Sequence, residues 1–237
     1  MVTGAAGGIG GAVAAQLASR GAEVIGVDLD RPGSGTLDGI EFVTGDLTSA
    51  ADRRRIIEDV GAIDLLVNAA GISVTKDLAT TTESDWDSVL GINAKVPFLL
   101  MQAYADRLSD GGAIVNIASV AGKMATNVHG APYNASKAAV LALTRTFAYA
   151  LAPRGIRVNA VCPGVTRTPM LDGIFDDLSS MTGEPVDTLR AEYLRRVPLG
   201  RLGAPEEIAR TVVHLLSEDA GYITGQSVNI CGGLVMS

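Results

Sequence analysis

Hydrophobic positions in this chain cluster in short runs rich in β-branched residues, separated by longer Ala- and Leu-rich stretches of helical length. Most of the short runs are apolar at consecutive positions, which is typical of strands covered on both faces of a parallel sheet. We predict strands at 23–28, 40–45, 63–68, 112–119, 156–164 and 227–231, and helices at about 8–20, 49–60, 84–108, 133–152 and 205–217. This alternation predicts a parallel, doubly wound α/β sheet.

Two segments depart from the alternation. Residues 166–200 are too many for a simple connection, and an insert of this size predicts a lid over a binding site. The link at 29–39 is short and rich in Gly and Pro, so we expect no full helix there. No linker composition divides the 237 residues, which predicts a single domain over 1–237.

Composition excludes several classes of function. The chain is 47% apolar and 19% charged, as expected of a globular protein, and its net charge is −7. Its acidic balance argues against nucleic-acid partners and a basic membrane-binding face, and no apolar run reaches the roughly 18 residues of a membrane span. Cys162 and Cys231 are too few for a disulfide framework or a metal cluster, and His129 and His214 are not spaced as ligands. We expect no metal and a reducing, cytoplasmic setting.

The stretch TGAAGGIG at residues 3–10 has the glycine spacing of a phosphate-binding turn. Gly4 would allow the tight turn, Gly8 a close approach of backbone to a pyrophosphate, and Gly10 close contact between helix and strand. The N–H groups that begin the next helix would point at the phosphates. Glycine-rich turns before helices are common, so the loop alone does not distinguish a dinucleotide site from an ordinary turn. Only Met1 and Val2 precede it as strand, so we expect the natural protein to begin several residues upstream, or these residues to be omitted here.

Asp28 strengthens the dinucleotide interpretation. It ends the second predicted strand, about 20 residues beyond the loop, where a carboxylate can bind the adenosine ribose. A carboxylate there also repels a 2′-phosphate, which favours NAD over NADP. Arg31 lies close enough in sequence to favour the opposite preference, and Asp28 could also be an ordinary turn residue at a strand end.

Candidate acid–base residues lie in the second half of the chain. Tyr133 and Lys137 are four residues apart and share a helix face, so we expect the Lys137 ammonium to lower the pKa of Tyr133 from about 10. Such a tyrosine can exchange a proton with an alcohol or carbonyl oxygen, although a surface Tyr–Lys pair is the alternative. Ser119 ends a predicted strand, where its hydroxyl would face the ligand crevice. Asn93 is a polar residue in an otherwise apolar predicted helix. The two interpretations are a catalytic residue and a buried amide with no catalytic role.

In this order and spacing, the motifs closely resemble the short-chain dehydrogenase/reductase family over nearly the whole length. The matching segments are TGAAGGIG, GDL (45–47), NAAG (68–71), Asn93, Ser119, YNASK (133–137), PGVTRT (163–168) and YITGQ (222–226). The resemblance implies a Rossmann-type sheet of about seven strands in the order 3-2-1-4-5-6-7. It also implies an NAD(H)-dependent enzyme that interconverts a secondary alcohol and a ketone, as a homotetramer or homodimer.

The resemblance further implies a role for each site residue. Tyr133 would be the general acid/base, Lys137 would bind the nicotinamide ribose, Ser119 would orient the substrate oxygen, and Asn93 would hold a water that relays protons through Lys137. Residues implied to contact the cofactor are Gly4, Gly7, Gly8, Ile9, Gly10, Asp28, Asp46, Leu47, Asn68, Ala69, Gly71, Tyr133, Lys137, Pro163, Gly164, Val165 and Thr168. The family often has a second Asn where Ala69 stands, which here should remove a structural hydrogen bond. The Ser119–Tyr133 spacing is one longer than the commonest value, so we expect the loop at 120–132 to bulge.

Three functions remain open. The tail GQSVNICGGLVMS resembles polyol and sugar-alcohol dehydrogenases of the family. A 3-oxoacyl-thioester reductase is the alternative, although that branch usually prefers NADP and benefits from a basic patch, both disfavoured by Asp28 and the acidic charge. A dinucleotide-sensing protein without catalysis would have lost Tyr133 or Lys137, and both are present.

Overall fold

Within the residues that the computed structural model describes, 1–31, 39–126 and 128–236, seven parallel strands form one sheet in the order β3-β2-β1-β4-β5-β6-β7. This confirms the predicted Rossmann-type topology. The strands are β1 (Val2–Thr3), β2 (Val24–Asp28), β3 (Ile40–Thr44), β4 (Ile63–Asn68), β5 (Leu108–Ile117), β6 (Arg157–Pro163) and β7 (Ser227–Ile230). The short β1 is central, because Val2 pairs with Gly26 on one side and Val67 on the other.

Helices cover both faces of the sheet. They are α1 (Gly8–Ala18), α2 (Ala50–Val60), α3 (Glu83–Leu90), α4 (Val96–Tyr104), α5 (Ala131–Leu151), α6 (Pro169–Thr182), α7 (Val186–Leu194) and α8 (Pro205–Leu216). On β4, Val67 packs in the core under α1 and α8, whereas its neighbour Leu66 packs in the core under α2, α4 and α5. Consecutive strand residues point to opposite faces, so two covered faces require the consecutive apolar runs seen in the sequence.

The structure differs from the predicted elements in two places. The helix expected at 84–108 is divided into α3 and α4 by a π-helical turn at Gly91–Lys95, and β5 begins at Leu108. The strand prediction began late because polar and glycine residues occupy 109–112, where the register between β4 and β5 is irregular. None of the helices described is long and apolar enough to cross a membrane.

The segment at 166–200 contains two helices, α6 and α7, instead of another strand–helix unit. Thr168 begins α6, since its hydroxyl accepts a hydrogen bond from the Leu171 N–H at 3.3 Å, and Gly183 ends it in the left-handed region at φ +75°. Most of the short link expected at 29–39 lies outside the described residues, as does residue 127 of the loop expected to bulge.

Candidate active site

A cavity of about 1110 Å³ opens at the carboxyl ends of the parallel strands, where open α/β sheets bind their ligands. Its wall includes Ser119, Tyr133 and Lys137 together with the glycine loop, and it continues to α6 and Tyr193 of α7. Of the residues expected to contact a cofactor, all but Asn68 line this cavity. Asn93 is not part of the wall either.

The glycines of the loop serve different geometrical purposes. Gly4 (φ +67°) and Gly8 (φ +56°) adopt the left-handed conformation that glycine tolerates best. A Cβ on Gly10 would lie 2.1 Å from the Gly4 carbonyl oxygen, so α1 packs directly on the turn. A Cβ on Gly7, in contrast, would meet no atom of the described residues within 4 Å. The loop is therefore tight beneath the helix and open on the cavity side.

The beginning of α1 suits an anion. Gly7 is the N-cap residue, and within the described ranges no side chain caps the first N–H groups of this helix. Uncapped N–H groups and the helix dipole together attract phosphate. The open space at Gly7 leaves room for such a group, so the residues present fit the pyrophosphate of a dinucleotide.

Asp28 lies beside the loop at the end of β2. Its Oδ2 accepts a hydrogen bond from the Ala6 N–H at 2.9 Å, and its Oδ1 accepts one from the Leu29 N–H at 2.8 Å. The carboxylate thus supports the loop and also lines the cavity. The Arg31 guanidinium donates to the Phe42 carbonyl oxygen at 3.3 Å. On the next strand end, hydrogen bonds from Thr48 lower the pKa of Asp46.

Asn68 supports the sheet from behind the cavity wall. Its Nδ2 donates to Asn116 Oδ1 at 2.8 Å, and Asn116 Nδ2 donates to Thr144 Oγ1 at 3.0 Å. Asn68 is absent from the cavity wall, because its buried side chain is directed into this polar network. Its contact with a cofactor stays a prediction. Ala69, which replaces a second asparagine, receives its support through the main chain: its N–H donates to Thr3 Oγ1 at 3.0 Å.

Tyr133 and Lys137 meet Ser119 where β5 and α5 approach each other. Tyr133 lies in the first turn of α5, and Lys137 Nζ is 5.5 Å from the centroid of its ring. Lys137 Nζ donates to the Ile117 carbonyl oxygen at 2.9 Å, whereas Ser119 Oγ accepts from the Ala121 N–H at 3.1 Å. All three side chains are buried yet reach the cavity.

Burial dominates the acid–base properties of this pair. It raises the pKa of Tyr133 to about 12, against a smaller lowering by the hydrogen bond with Ser119. Burial also lowers the pKa of Lys137 to about 8. The expected lowering of the Tyr133 pKa is thus wrong for this structure, since desolvation opposes the phenolate more strongly than its neighbours favour it. At neutral pH, Tyr133 carries its proton.

Asn93 lies in the π-helical turn and binds both main-chain polar groups of Ile72. Its Nδ2 donates to the Ile72 carbonyl oxygen at 2.9 Å, and its Oδ1 accepts from the Ile72 N–H at 2.9 Å. Nδ2 also donates to Ser136 Oγ at 3.1 Å. These contacts match the buried-amide alternative, while the water relay stays a prediction. Single π turns inside helices are frequent at functional sites.

Sequence reasoning missed His129 as a site residue. Its ring stacks on Tyr133 with centroids 4.1 Å apart and planes inclined by 19°, and its Nδ1 is 3.1 Å from Ser73 Oγ. Burial, with the nearby charge of Lys137, lowers the pKa of His129 to about 4. Its position four residues before Tyr133 was the available signal, but the loop conformation that turns His129 onto Tyr133 is a tertiary feature.

Comparisons with known proteins agree with this geometry. The model of the family adh_short_C2, described as enoyl-(acyl carrier protein) reductase, matches residues 4–235. The chain is 39% identical to (3R)-3-hydroxyacyl-CoA dehydrogenase of Homo sapiens, covering 100% of this chain and 95% of that protein. It is 37% identical to the 3-oxoacyl-(acyl-carrier-protein) reductase FabG of Thermotoga maritima, covering 100% and 97%.

Solved structures show the same relationship. A short chain dehydrogenase family protein from Francisella tularensis superposes with a TM-score of 0.92 at 28% identity, covering 98% of this chain and 96% of that one. The ligand-free aldohexose dehydrogenase of Thermoplasma acidophilum gives a TM-score of 0.85 at 30% identity, covering 98% and 92%. With the family match, the strand order and the full-length relatives in agreement, the chain belongs to the short-chain dehydrogenase/reductase family.

Proposed function

We propose that the cavity binds NAD(H) beside a secondary alcohol or ketone, and that Tyr133 exchanges the proton of their reaction. The class of reaction follows from the family and its full-length relatives: the chain is an oxidoreductase that acts on CH–OH groups and the corresponding ketones. The observation that carries the residue assignment is the meeting of Ser119, Tyr133 and Lys137 in the wall of one cavity with the glycine loop.

NAD(H) is the proposed cofactor. Its pyrophosphate would lie at the uncapped start of α1 over Gly7, and its adenosine ribose near Asp28. The Asp28 carboxylate is fixed by two main-chain N–H groups, so a 2′-phosphate placed there would meet a negative charge that cannot easily turn away. Arg31, the nearby cation that could favour NADP, contacts the Phe42 carbonyl. The cofactor supplies the hydride acceptor in oxidation and the donor in reduction.

The protein positions the substrate oxygen and supplies its proton. The hydroxyls of Ser119 and Tyr133 would bind that oxygen, and the protonated phenol is the form that donates to a ketone as it becomes an alcohol. Oxidation of an alcohol needs the phenolate instead, which burial disfavours at neutral pH. The ammonium of Lys137, 5.5 Å from the ring centroid, would stabilise that phenolate when it forms.

Two classes of substrate are candidates. Polyols and sugars are one, with aldohexose dehydrogenase as a structural relative. A 3-hydroxyacyl or 3-oxoacyl thioester is the other, and the relatives named for these substrates cover the whole chain. The apolar side chains of Met170, Leu171 and Ile174 in the cavity wall suit an acyl chain better than a polyol.

The segment at 166–200 is the proposed lid of a single domain. Arg190 of α7 forms an ion pair with Asp172 of α6, and Phe175 meets Tyr193 edge-on with ring centroids 6.3 Å apart. These contacts allow α6 and α7 to move as one unit over the substrate.

A homotetramer or homodimer in the cytoplasm is the proposed setting. Exposed aromatic side chains on α3 and α4, Trp86 and Phe98, suit a subunit contact. Cys162 and Cys231 are both free thiols, which suits a reducing compartment.

A substrate panel tests the activity. Polyols, hydroxy acids, steroids and acetoacetyl thioesters should each be assayed with NAD(H) and with NADP(H). We expect turnover with NAD(H) on one of these classes, and activity with NADP(H) alone would refute the proposed cofactor. Preference for the thioesters would decide in favour of the second substrate class.

Tyr133→Phe tests the acid–base assignment. We expect turnover to fall by about 10²- to 10⁴-fold, the usual contribution of a positioned proton donor, while NADH still binds in a fluorescence titration. Tyr149→Phe is the matched control, because Tyr149 lies on the same helix and is 89% exposed. A Tyr133→Phe enzyme as active as this control would rule out Tyr133 as the acid/base.

A further inference from the structure

His129 contributes a ring to the cavity wall directly against Tyr133. The two rings are almost parallel, with centroids 4.1 Å apart and planes inclined by 19°. His129 precedes Gly130, the N-cap of α5, so the stack joins the loop before the helix to its first turn. Movement of the Tyr133 ring towards His129 is blocked by this contact.

A residue of the segment that follows β4 holds the His129 ring in place. Its Nδ1 lies 3.1 Å from Ser73 Oγ, and in the same place the Gly130 N–H donates to the Val74 carbonyl oxygen at 3.3 Å. The neighbouring Ile72 is fixed on both its N–H and its carbonyl by Asn93. A continuous series of contacts thus runs from Asn93 through Ile72 and Ser73 to His129 and ends on the Tyr133 ring.

A purely structural account of His129 exists. An apolar residue just before an N-cap often packs against the first turn of the helix and fixes the entry of the chain. Any large side chain could provide this packing, and the packing does not require a hydrogen-bond partner for Nδ1. The hydrogen bond to Ser73 and the place of His129 in the cavity wall beside a proton-exchanging hydroxyl indicate a more specific purpose.

We propose that His129 is a positioning residue for the reaction at Tyr133, an inference that rests on the proposed role of Tyr133. Proton transfer requires the phenol oxygen to stay within hydrogen-bond reach of the substrate oxygen. The stacked imidazole limits the tilt of the phenol ring, and Ser73 limits rotation of the imidazole. His129 neither donates nor accepts the reacting proton; it acts through Tyr133.

Three variants separate the stack from the hydrogen bond. His129→Ala removes both, His129→Phe keeps a ring but loses the bond, and Ser73→Ala loses the bond alone. His214→Ala is the matched control, because His214 is the other histidine of the chain and lies exposed on α8. Each variant is assayed with acetoacetyl-CoA and NADH, or with the substrate of highest kcat/KM in the panel above. NADH affinity and thermal midpoint are measured in parallel.

A positioning role predicts a loss in kcat with KM and NADH affinity nearly unchanged. For His129→Ala we expect kcat to fall by about 10- to 100-fold, since a misplacement of about 1 Å can cost 10²-fold. His129→Phe should restore most of this loss. Ser73→Ala should lower kcat by about 5-fold, the equivalent of one hydrogen bond of about 1 kcal/mol. A role in folding alone would lower the thermal midpoint and leave kcat of the folded enzyme unchanged.

Two results would overturn the inference. One is a His129→Ala enzyme that keeps the kcat of His214→Ala. The other is a folded His129→Phe enzyme that is as slow as His129→Ala, because that result would show that the imidazole has a chemical role which a phenyl ring cannot replace. If His129→Ala does not fold, the other two variants are compared with His214→Ala: a Ser73→Ala enzyme with the full kcat of that control, or a folded His129→Phe enzyme about 100-fold slower than it, overturns the inference. Tyr133→Phe is measured beside them: an active Tyr133→Phe refutes the proposed function, whereas an inactive one with a fully active His129→Ala refutes this inference alone.

Discussion

Replacing Gly10 by Ala would separate α1 from the turn on which it packs. The added Cβ would lie 2.1 Å from the Gly4 carbonyl oxygen and 2.7 Å from the Gly4 carbonyl carbon, whereas real Cβ contacts shorter than 3.0 Å hardly occur. Helix and turn must therefore move apart by about 0.9 Å. Both partners are backbone and Gly4 lies against the main chain of Ala70, so neither can give way by a rotamer change.

The expected cost is at the upper end for overpacking, about 3 kcal/mol. At about 2–4 °C per kcal/mol for a chain of this size, the melting temperature of the ligand-free protein should fall by about 6–12 °C. Thermal unfolding followed by circular dichroism measures this change, and a fluorescence titration with NADH measures binding. We expect binding to weaken as well, because the displaced helix carries the N–H groups that would face the pyrophosphate.

Gly7→Ala is the matched control within the same loop. Gly7 has φ −177°, which any residue adopts, and in the part of the chain that the structure describes its added Cβ would meet no atom within 4 Å. Its melting temperature should stay within about 2 °C of the parent, since substitutions without a steric or polar conflict rarely exceed about 0.5 kcal/mol. NADH affinity should nevertheless fall, because the Cβ enters the space assigned to the phosphates. A Gly10→Ala protein as stable as Gly7→Ala would refute the packing argument.

Two further predictions concern stability. His129 has a pKa of about 4 in the folded chain and about 6.5 when unfolded, so the unfolded chain binds more protons between these values and stability falls as pH decreases. Urea unfolding should show a loss of about 2 kcal/mol between pH 7 and pH 5, and a His129→Phe protein that loses as much would contradict this assignment. Asn93→Ala removes the three hydrogen bonds of a buried side chain and should cost about 3 kcal/mol in the same assay. A loss below about 1 kcal/mol would show that Ile72 does not depend on it.

The sequence predicts the sheet well because its information is local. On β5, Ile114 belongs to the core of one face and Val115 to that of the other, so a covered parallel strand must read as an unbroken apolar run. The π-helical turn at Gly91–Lys95 escapes the same reasoning. One extra residue in a turn leaves the composition and helical propensity of the segment unchanged. The hydrogen-bond partner of Asn93 is Ile72, which lies 21 residues earlier, so local sequence does not reveal this contact.

The candidate site was predictable to the extent that it depends on strand ends. Ser119 lines the cavity because it follows β5, and Asp28 because it ends β2. The acid–base properties of Tyr133 were not predictable in the same way. The spacing to Lys137 identifies a charge that favours the phenolate, but the opposing desolvation depends on the segments that pack around the ring.

The NAAG segment at 68–71 has both a packing role and a place in the cavity wall. Asn68 is committed to Asn116, and the Ala69 N–H to Thr3 Oγ1, so these positions join β4 to its neighbours on both sides. A Cβ on Gly71 would lie 2.9 Å from Asn93 Oδ1, the atom that accepts from the Ile72 N–H. A larger residue at the end of the motif would therefore push the Asn93 side chain away from Ile72 before any ligand is considered. The contacts proposed with the cofactor at Ala69 and Gly71 are a separate requirement, met by the cavity side of the same backbone.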